Sequence, residues 1–290
     1  MARVAVVGVG AIGGVLAALV ETTGRHRITL CTRRPIETLT VKTPAGAVLV
    51  KAMNLTDPEQ AEAVDWVLVA TKTYDADGAG AWLRRLAAQG APVAVVQNGV
   101  EHRERFQPWV EGERIVPVVI DCPVEKRADG TVVQRGTVRM KVEEGRLGEE
   151  FKGLFEGSGA EVEVTQDWKS AAWRKLCINA AGALNALTLK PAGVFQDEAV
   201  GRVVVEMVAE CAAVGRAEGA KLDENVGRQV LEMYRGQPAD SVNSLLADRL
   251  AGRRMETDAR NGVIVRLGEK HGIETPLNRM AVAVLAAVER

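Results

Sequence analysis

The strongest constraint on the fold is a glycine-rich turn that lies between an apolar strand and a helix. Residues 3–7 form a continuous, mostly β-branched run, which is typical of a strand buried on both faces. The turn then has the spacing Gly8-x-Gly10-x-x-Gly13, and the residues that follow it have the composition of a helix. This order predicts the first half of a βαβ unit, and residues 28–31 supply the second strand.

The spacing of the turn predicts a dinucleotide site. Gly8 allows the tight turn, Gly10 lets a pyrophosphate approach the backbone, and Gly13 lets the helix pack closely on the strand. Ala11 and Ile12 lie at the start of the helix, where free N–H groups face the anion. The alternative is a glycine-rich turn in an α/β protein that binds no nucleotide.

The end of the second strand indicates which dinucleotide is bound. NAD-binding chains place Asp or Glu there to hold the ribose 2′-hydroxyl, whereas this chain has Thr32, Arg33 and Arg34 after Cys31. A hydroxyl and two guanidinium groups suit a 2′-phosphate, which arginine can bind through two parallel hydrogen bonds. We therefore predict NADP(H) rather than NAD(H), and the alternative is a solvated surface pair of arginines.

Strand and helix patterns alternate over the first half of the chain. Apolar runs at 67–70, 93–96 and 115–120 predict further buried strands, and residues 79–88 predict a helix. The alternation predicts an α/β fold with a doubly wound parallel sheet of the Rossmann type.

The pattern changes after residue 120. Residues 130–136 and 137–142 predict a pair of antiparallel strands, and a short helix at 149–156 and a strand at 162–164 follow them. Helices alone are predicted from Trp168 onward, near residues 168–188, 199–217, 222–235, 241–270 and 276–289. We predict an NADP(H)-binding domain over residues 1–166 and an all-α substrate and catalytic domain over residues 167–290.

Composition limits the class of ligand. The chain has 37 Lys and Arg against 38 Asp and Glu, so no basic surplus is available for a nucleic acid or an anionic membrane surface. We therefore predict a small-molecule substrate. The chain has only 3 histidines, and no two lie within a helical turn of each other, so we predict no metal site.

The cysteines and the two ends of the chain bear on location and assembly. The 4 cysteines form no Cys-x-x-Cys pair and are expected to be reduced thiols. Residues 4–20 are apolar, but their clustered glycines suit a turn better than a membrane span, and no cleavage site follows. We predict a cytoplasmic protein. The apolar final helix, 280–288, could pack internally or form a homodimer interface.

Two polar residues directly follow predicted buried strands. Lys72 comes after the strand at 67–70, and Asn98 lies in Gln97-Asn98-Gly99 after the strand at 93–96. Because the carboxyl ends of parallel strands face the ligand crevice, both could contact a nicotinamide ribose or a substrate carboxylate. The alternatives are a solvated strand end for the lysine and a plain turn for the asparagine.

Polar residues also interrupt the helical half. Lys175 and Asn179 are four residues apart, so they share one helical face, and either both reach water or they line a polar cleft. Glu256 lies beside an apolar stripe at every fourth residue from Met255, at the margin of the core, and Ser244 precedes it. The alternative for Glu256 is an ordinary surface acid of a helix.

Taken together, these residues resemble the ketopantoate reductase (2-dehydropantoate 2-reductase) family. The likeness runs in order over almost the whole chain. It rests on Gly8-x-Gly-Ala-Ile-Gly13, Arg33, Lys72, Asn98-Gly99, Trp173-Arg-Lys-Leu176 with Asn179, and Ser244 with Glu256.

The resemblance implies NADPH-dependent reduction of 2-dehydropantoate to pantoate, on the route to coenzyme A. It implies that Lys175 is the general acid and that Glu256 engages the substrate. Asn98, Asn179 and Ser244 match substrate-pocket positions of the family, and Lys72 matches a lysine that lies near both cofactor and substrate. An ammonium group suits the acid role because it stabilises a developing alkoxide and then donates a proton.

The chain departs from the family at two positions. Ala183 stands where the family often has a second asparagine, with Asn185 nearby on another face, and Ser241 stands where an asparagine is expected. Two other functions therefore stay open: a reductase of another 2-oxo acid, and a non-catalytic regulator that binds NADP(H).

Overall fold

The fold is that of a computed structural model, which describes residues 1–127 and 129–289. The chain forms two compact units. The first unit consists of Met1–Gln97 and Glu101–Trp168, and the second joins Asn98–Val100 to the chain from Lys169 onward.

A six-stranded parallel sheet is the centre of the first unit. Its strands are Arg3–Val7 (β1), Arg27–Cys31 (β2), Ala52–Leu55 (β5), Trp66–Val69 (β6), Val93–Val95 (β7) and Ile115–Pro117 (β8). Their order across the sheet is β5-β2-β1-β6-β7-β8, and all five neighbouring pairs are parallel. The chain moves outward from β1 first in one direction and then in the other, so the predicted doubly wound sheet is confirmed.

Helices cover both faces of this sheet. The helices of the first unit are Ala11–Thr22 (α1), Ala76–Leu86 (α2), His102–Phe106 (α3) and Arg146–Leu154 (α4). Val4 and Val6 of β1 pack in the same core as α1, whereas Ala5 and Val7 pack in the core that contains Trp82 of α2. Alternate residues of one strand thus enter two cores, which explains why the strand sequence is apolar at every position.

Two smaller sheets complete the first unit. One has the order β10-β11-β3-β4 and the other β13-β12-β9. Their strands are Leu39–Thr43 (β3), Gly46–Val50 (β4), Val119–Asp121 (β9), Val124–Lys126 (β10), Val132–Gln134 (β11), Arg139–Glu143 (β12) and Glu161–Thr165 (β13).

These small sheets overturn one prediction. The predicted antiparallel pair at 130–136 and 137–142 is wrong, because β11 and β12 belong to different sheets. β11 pairs with β10 and β3, and β12 pairs with β9 and β13. The predicted strand at 115–120 is likewise two strands, β8 and β9, in two sheets. Pairing with distant segments, such as Val132 with Val41, is favoured because it covers α1 on the side of Gly14.

All regular secondary structure among the described residues of the second unit is helical. Its helices are Trp168–Ala181 (α5), Ala183–Thr188 (α6), Glu198–Ala217 (α7), Val226–Arg235 (α8), Ser244–Leu250 (α9), Val263–His271 (α10) and Pro276–Val288 (α11). A core of apolar residues surrounds α7, among them Val204, Met207 and Val208. Within residues 1–127 and 129–289, no helix is long and apolar enough to cross a membrane.

Two predicted helices of this unit are interrupted. The helix predicted at 168–188 breaks at Gly182, and the helix predicted at 241–270 is three segments. Its middle segment is one turn of π-helix, Asp258–Gly262, and Gly252 has a φ of 61° in the turn before it. These breaks matter because they set the directions of the polar side chains described next.

Candidate active site

The three glycines of the turn after β1 differ in how much space a side chain would have at each position. A Cβ on Gly8, which has a φ of 91°, would lie 2.7 Å from the backbone nitrogen of Thr71, and one on Gly13 would lie 2.1 Å from the carbonyl oxygen of Gly8. A Cβ on Gly10 would have no atom of the described residues within 4 Å. Packing of the chain therefore requires Gly8 and Gly13, whereas the open side of Gly10 fits the close approach of a ligand.

Main-chain N–H groups and one lysine give this turn a positive electrostatic potential. Ala11 and Ile12 begin α1, so their N–H groups and the positive end of the helix dipole point toward the turn. The ammonium group of Lys126 donates a hydrogen bond of 3.3 Å to the carbonyl oxygen of Val9. Sequence reasoning missed Lys126, because it lies 117 residues further along the chain. A pyrophosphate fits the turn by both charge and space.

The loop after β2 contains one structural residue and two exposed cations. Thr32 is buried, and its hydroxyl donates to the carbonyl oxygen of Arg34 at 2.8 Å and accepts from Asn54 Nδ2 at 2.9 Å. Arg33 is 86% exposed and lies 3.6 Å from Asp75. Arg34 is exposed as well. Thr32 therefore shapes the loop, and the two guanidinium groups are its available anion ligands.

The ends of β6 and β7 are joined by Gln97. Its buried amide donates to the carbonyl oxygen and to the hydroxyl of Thr71, both at 3.0 Å, and its own carbonyl oxygen accepts from Arg105 at 3.3 Å. Lys72 directly follows Thr71 and is half-buried. Gln97 thus fixes the position of the segment that carries Lys72, a role that the sequence pattern did not reveal.

In the second unit, three predicted residues form one hydrogen-bonded chain. Asn179 Nδ2 donates to Asn98 Oδ1 at 3.3 Å, and Asn98 Nδ2 donates to Glu256 Oε2 at 3.1 Å. Asn179 and Glu256 are 8% and 5% exposed. The three residues are brought together from positions 81 and 158 residues away from Asn98.

The burial of these hydrogen-bonded side chains bears on two alternatives that the sequence pattern left open. Glu256 is not a surface acid, and it precedes the helical segment that begins at Thr257 rather than lying within it. Asn179 is buried rather than extended into water. Lys175, one turn earlier on the same face of α5, is half-buried. A carboxylate, two amides and an ammonium group thus come from a small region of the second unit.

Ser244 has a partner that the pattern did not predict. Its hydroxyl accepts a 2.6 Å hydrogen bond from the guanidinium group of Arg260, a side chain only 3% exposed. Ser244 itself is exposed at the start of α9. No signal in the sequence separates Arg260 from the other arginines, because its burial depends on the π-helical turn.

The neighbouring asparagines are structural. Asn243 caps α9 by accepting from the Leu246 amide at 2.9 Å, and it donates to Asn185 Oδ1 at 2.7 Å. Asn185 is buried and donates to the carbonyl oxygen of Lys190 at 2.9 Å. Asn185 is therefore engaged within the core.

The sequence of the chain matches two models of protein families. The model described as "Ketopantoate reductase PanE/ApbA" matches residues 4–146, and "Ketopantoate reductase PanE/ApbA C terminal" matches residues 167–289. The chain is 49% identical over 287 residues to the 2-dehydropantoate 2-reductase of Caulobacter vibrioides, with 99% of both chains covered.

Solved structures show the same fold. The PanE/ApbA family ketopantoate reductase from Ralstonia eutropha has a TM-score of 0.89 and 31% identity, and 99% of this chain and 98% of that chain are covered. A D-mandelate dehydrogenase, solved with NADH and anilino(oxo)acetate, has a TM-score of 0.90 with 99% and 98% covered. Its identity of 19% extends the likeness to the fold alone.

Proposed function

This chain belongs to the ketopantoate reductase family, and we propose that it reduces 2-dehydropantoate to pantoate with NADPH, a step of pantothenate and coenzyme A biosynthesis. The observation that carries the proposal is the hydrogen-bonded chain Asn179–Asn98–Glu256, with Lys175 one helical turn before Asn179 on α5. It offers both an acceptor for a substrate hydroxyl and a donor for the reacting carbonyl oxygen.

Lys175 acts as the general acid of this reaction. Reduction of a ketone leaves negative charge on its oxygen, and a half-buried ammonium group stabilises that charge more strongly than one in bulk water. The same group then donates the proton. Histidine, the usual alternative, is scarce, with 3 residues in the chain.

Glu256 recognises the substrate hydroxyl, and the two amides position it. Asn98 occupies Glu256 Oε2 with a hydrogen bond, which holds the carboxylate in one orientation. Asn179 in turn donates a hydrogen bond to Asn98 and so holds the amide of Asn98 in place. Such a chain is rigid because each member restricts the next. Ser244 supplies a further hydroxyl for the substrate.

The cofactor is bound by residues of the first unit. Gly8, Gly10 and Gly13 with the amides of Ala11 and Ile12 hold the pyrophosphate, and the loop of Thr32, Arg33 and Arg34 holds the 2′-phosphate. Lys72 contacts its nicotinamide end or the substrate. When bound, NADPH supplies the hydride. The exposed arginines support NADPH over NADH, since only NADPH carries the second anion.

We place this activity in the cytoplasm. Cys31, Cys122, Cys177 and Cys211 are free thiols, and the thiol of Cys177 donates a 3.6 Å hydrogen bond to the sulfur of Cys211. A pair of neighbouring thiols suits a reducing compartment.

The proposal is tested by NADPH oxidation with 2-dehydropantoate, 2-oxoisovalerate and unbranched 2-oxo acids. We expect kcat/KM to be highest for 2-dehydropantoate. Lys175→Ala should lower kcat by about 10²–10⁴-fold, the usual contribution of general acid catalysis, and leave NADPH binding intact.

Lys169→Ala is the matched control, because Lys169 lies on the same helix, is exposed and bonds only a backbone carbonyl in the described structure. A higher kcat/KM for another 2-oxo acid would reassign the substrate. Normal kcat in Lys175→Ala would remove the lysine from the chemistry. NADPH binding without turnover of any 2-oxo acid would indicate a regulator.

A further inference from the structure

One buried cation in the second unit forms no ion pair with any residue that the structure describes. Arg260 lies in the π-helical turn Asp258–Gly262 and is 3% exposed. One of its terminal nitrogens, Nη2, donates to Ser244 Oγ at 2.6 Å. Its ε N–H has no hydrogen-bond partner, and its guanidinium group forms no ion pair, among residues 1–127 and 129–289.

The acids around this turn are directed elsewhere. Glu256 accepts from Asn98, Asp258 pairs with Arg266, and Asp248 pairs with Arg253 at 2.9 Å. A guanidinium group is always protonated and is costly to bury without an opposite charge. Arg260 therefore carries a desolvated positive charge with which no carboxylate of residues 1–127 and 129–289 forms an ion pair.

Tyr234 does not supply the missing charge. Its hydroxyl donates to the carbonyl oxygen of Ile178 at 2.9 Å. Burial raises the pKa of Tyr234 to about 12, although the nearby Arg260 opposes the rise. The phenol is therefore neutral at physiological pH and leaves the guanidinium group uncompensated.

Arg260 is bonded to an exposed residue and lies near the hydrogen-bonded chain Asn179–Asn98–Glu256. Its hydrogen-bond partner Ser244 is an exposed residue, so one hydrogen bond links the buried guanidinium group to a residue at the surface. A Cβ on Gly99 would lie 2.8 Å from the carbonyl oxygen of Ala259, so the segment that carries Asn98 packs on the turn that carries Arg260.

We propose that Arg260, together with Ser244, binds the carboxylate of the 2-oxo acid substrate. This assignment rests on the proposed function and adds the charge that selects an acid over a neutral ketone. The ε N–H and the second N–H of Nη2 form one edge of the guanidinium group, which matches the two oxygens of a carboxylate. Glu256 then reads the hydroxyl of the substrate, and Arg260 reads its acid group.

The test compares a charged substrate with a neutral one. Arg260→Met keeps much of the side-chain volume and removes the charge. We expect it to lower kcat/KM for 2-dehydropantoate by about 10²–10³-fold, the range for loss of one partner of a buried charge pair. The uncharged primary amide of 2-dehydropantoate should lose less than about fivefold, because it has no carboxylate to bind. Arg279→Met, which removes an exposed arginine whose ion-pair partner Glu269 is exposed as well, is the control and should change neither.

A binding measurement separates this inference from the proposed function. Pantoate should bind the wild type in the presence of NADP⁺ and raise its Tm, and Arg260→Met should abolish that rise, while uncharged pantoamide should give equal, small effects in both. If the wild type reduces no 2-oxo acid, the proposed function fails, and the pantoate comparison still decides the role of Arg260.

Stability provides the last criterion. Removing an uncompensated buried charge should leave the Tm of the ligand-free protein unchanged or higher. Equal losses on acid and amide, normal kinetics on the acid, or a collapsed Tm in both Arg260→Met and Arg260→Lys would each overturn the assignment. Arg260→Lys should recover part of the activity on the acid, because it restores the charge without the paired N–H edge.

Discussion

The two units present different kinds of binding groups. In the first unit, the candidate cofactor site consists of main-chain N–H groups at the start of α1 and of exposed cations such as Arg33. In the second unit, the candidate substrate site consists of buried side chains, Asn179, Glu256 and Arg260. Main-chain groups cannot be removed by substitution, whereas each buried side chain leaves an unpaired neighbour when it is lost. Sensitivity to mutation should therefore differ in kind between the units.

The largest effect expected from this difference is at Glu256. Glu256→Gln keeps a carbonyl oxygen for the amide of Asn98 but removes the charge that accepts the substrate hydroxyl. We expect kcat/KM for 2-dehydropantoate to fall by about 10²–10³-fold, because hydrogen bonds to charged groups are the strong ones. The loss for 2-oxoisovalerate, which lacks that hydroxyl, should be at most severalfold.

Glu256→Ala separates recognition from stability. It leaves the half-buried amide of Asn98 without the acceptor Glu256 Oε2, so it should also lower the free energy of unfolding by about 1 kcal/mol, measured by urea denaturation. Equal kinetic losses on both substrates in Glu256→Gln would mean that the acid positions Lys175 instead of reading the hydroxyl.

The same contrast explains what the sequence could predict. Most strands of the large sheet and the glycine turn were predictable from contiguous residues, such as the apolar run of β1, then Gly8 to Gly13, then α1, whereas the edge strand β5 was not predicted. The two small sheets were not predictable. β11 pairs with β3, for example, and the paired residues Val133 and Lys42 lie some ninety residues apart in the sequence. Local patterns contain no information on such pairings.

The side-chain cluster was predictable only in part. The family likeness selected Asn98, Asn179, Ser244 and Glu256, but the pattern alone allowed a surface position for the acid. Arg260, Lys126 and Gln97 were missed because their roles depend on a π-helical turn or on contacts between distant segments. An arginine in a helical pattern is most often a solvated residue, and only its burial indicates otherwise.

A pair of glycine substitutions tests the main-chain site. Gly10→Ala adds a Cβ into open space, so its free energy of unfolding should change by less than about 0.5 kcal/mol. Its Kd for NADPH should rise about tenfold or more, about 1.4 kcal/mol, because the Cβ obstructs the close approach of the pyrophosphate.

Gly13→Ala is the matched structural variant. Its Cβ would lie 2.1 Å from the carbonyl oxygen of Gly8, so it should destabilise the fold by about 1–3 kcal/mol or more. Thermal unfolding and NADPH titration of both variants show whether each glycine is needed for packing or for NADPH binding. Unchanged NADPH affinity in Gly10→Ala would remove the turn from the cofactor site.

The smallest effect is expected from the exposed arginines. Arg33 is 86% exposed and pairs only with Asp75 at 3.6 Å in the described structure, so its removal costs the fold almost nothing. Replacing Arg33 and Arg34 by alanine should raise the KM for NADPH by about tenfold, because two solvated cations each contribute modestly to binding a phosphate. The KM for NADH should stay within about twofold, since NADH has no 2′-phosphate to lose contact with.

Arg84→Ala and Arg85→Ala on the exposed side of α2 form the control pair. Equal changes for both cofactors, or a wild type that prefers NADH, would show that the arginines do not select the phosphate, and the preference would then have to come from Lys126 or the main chain.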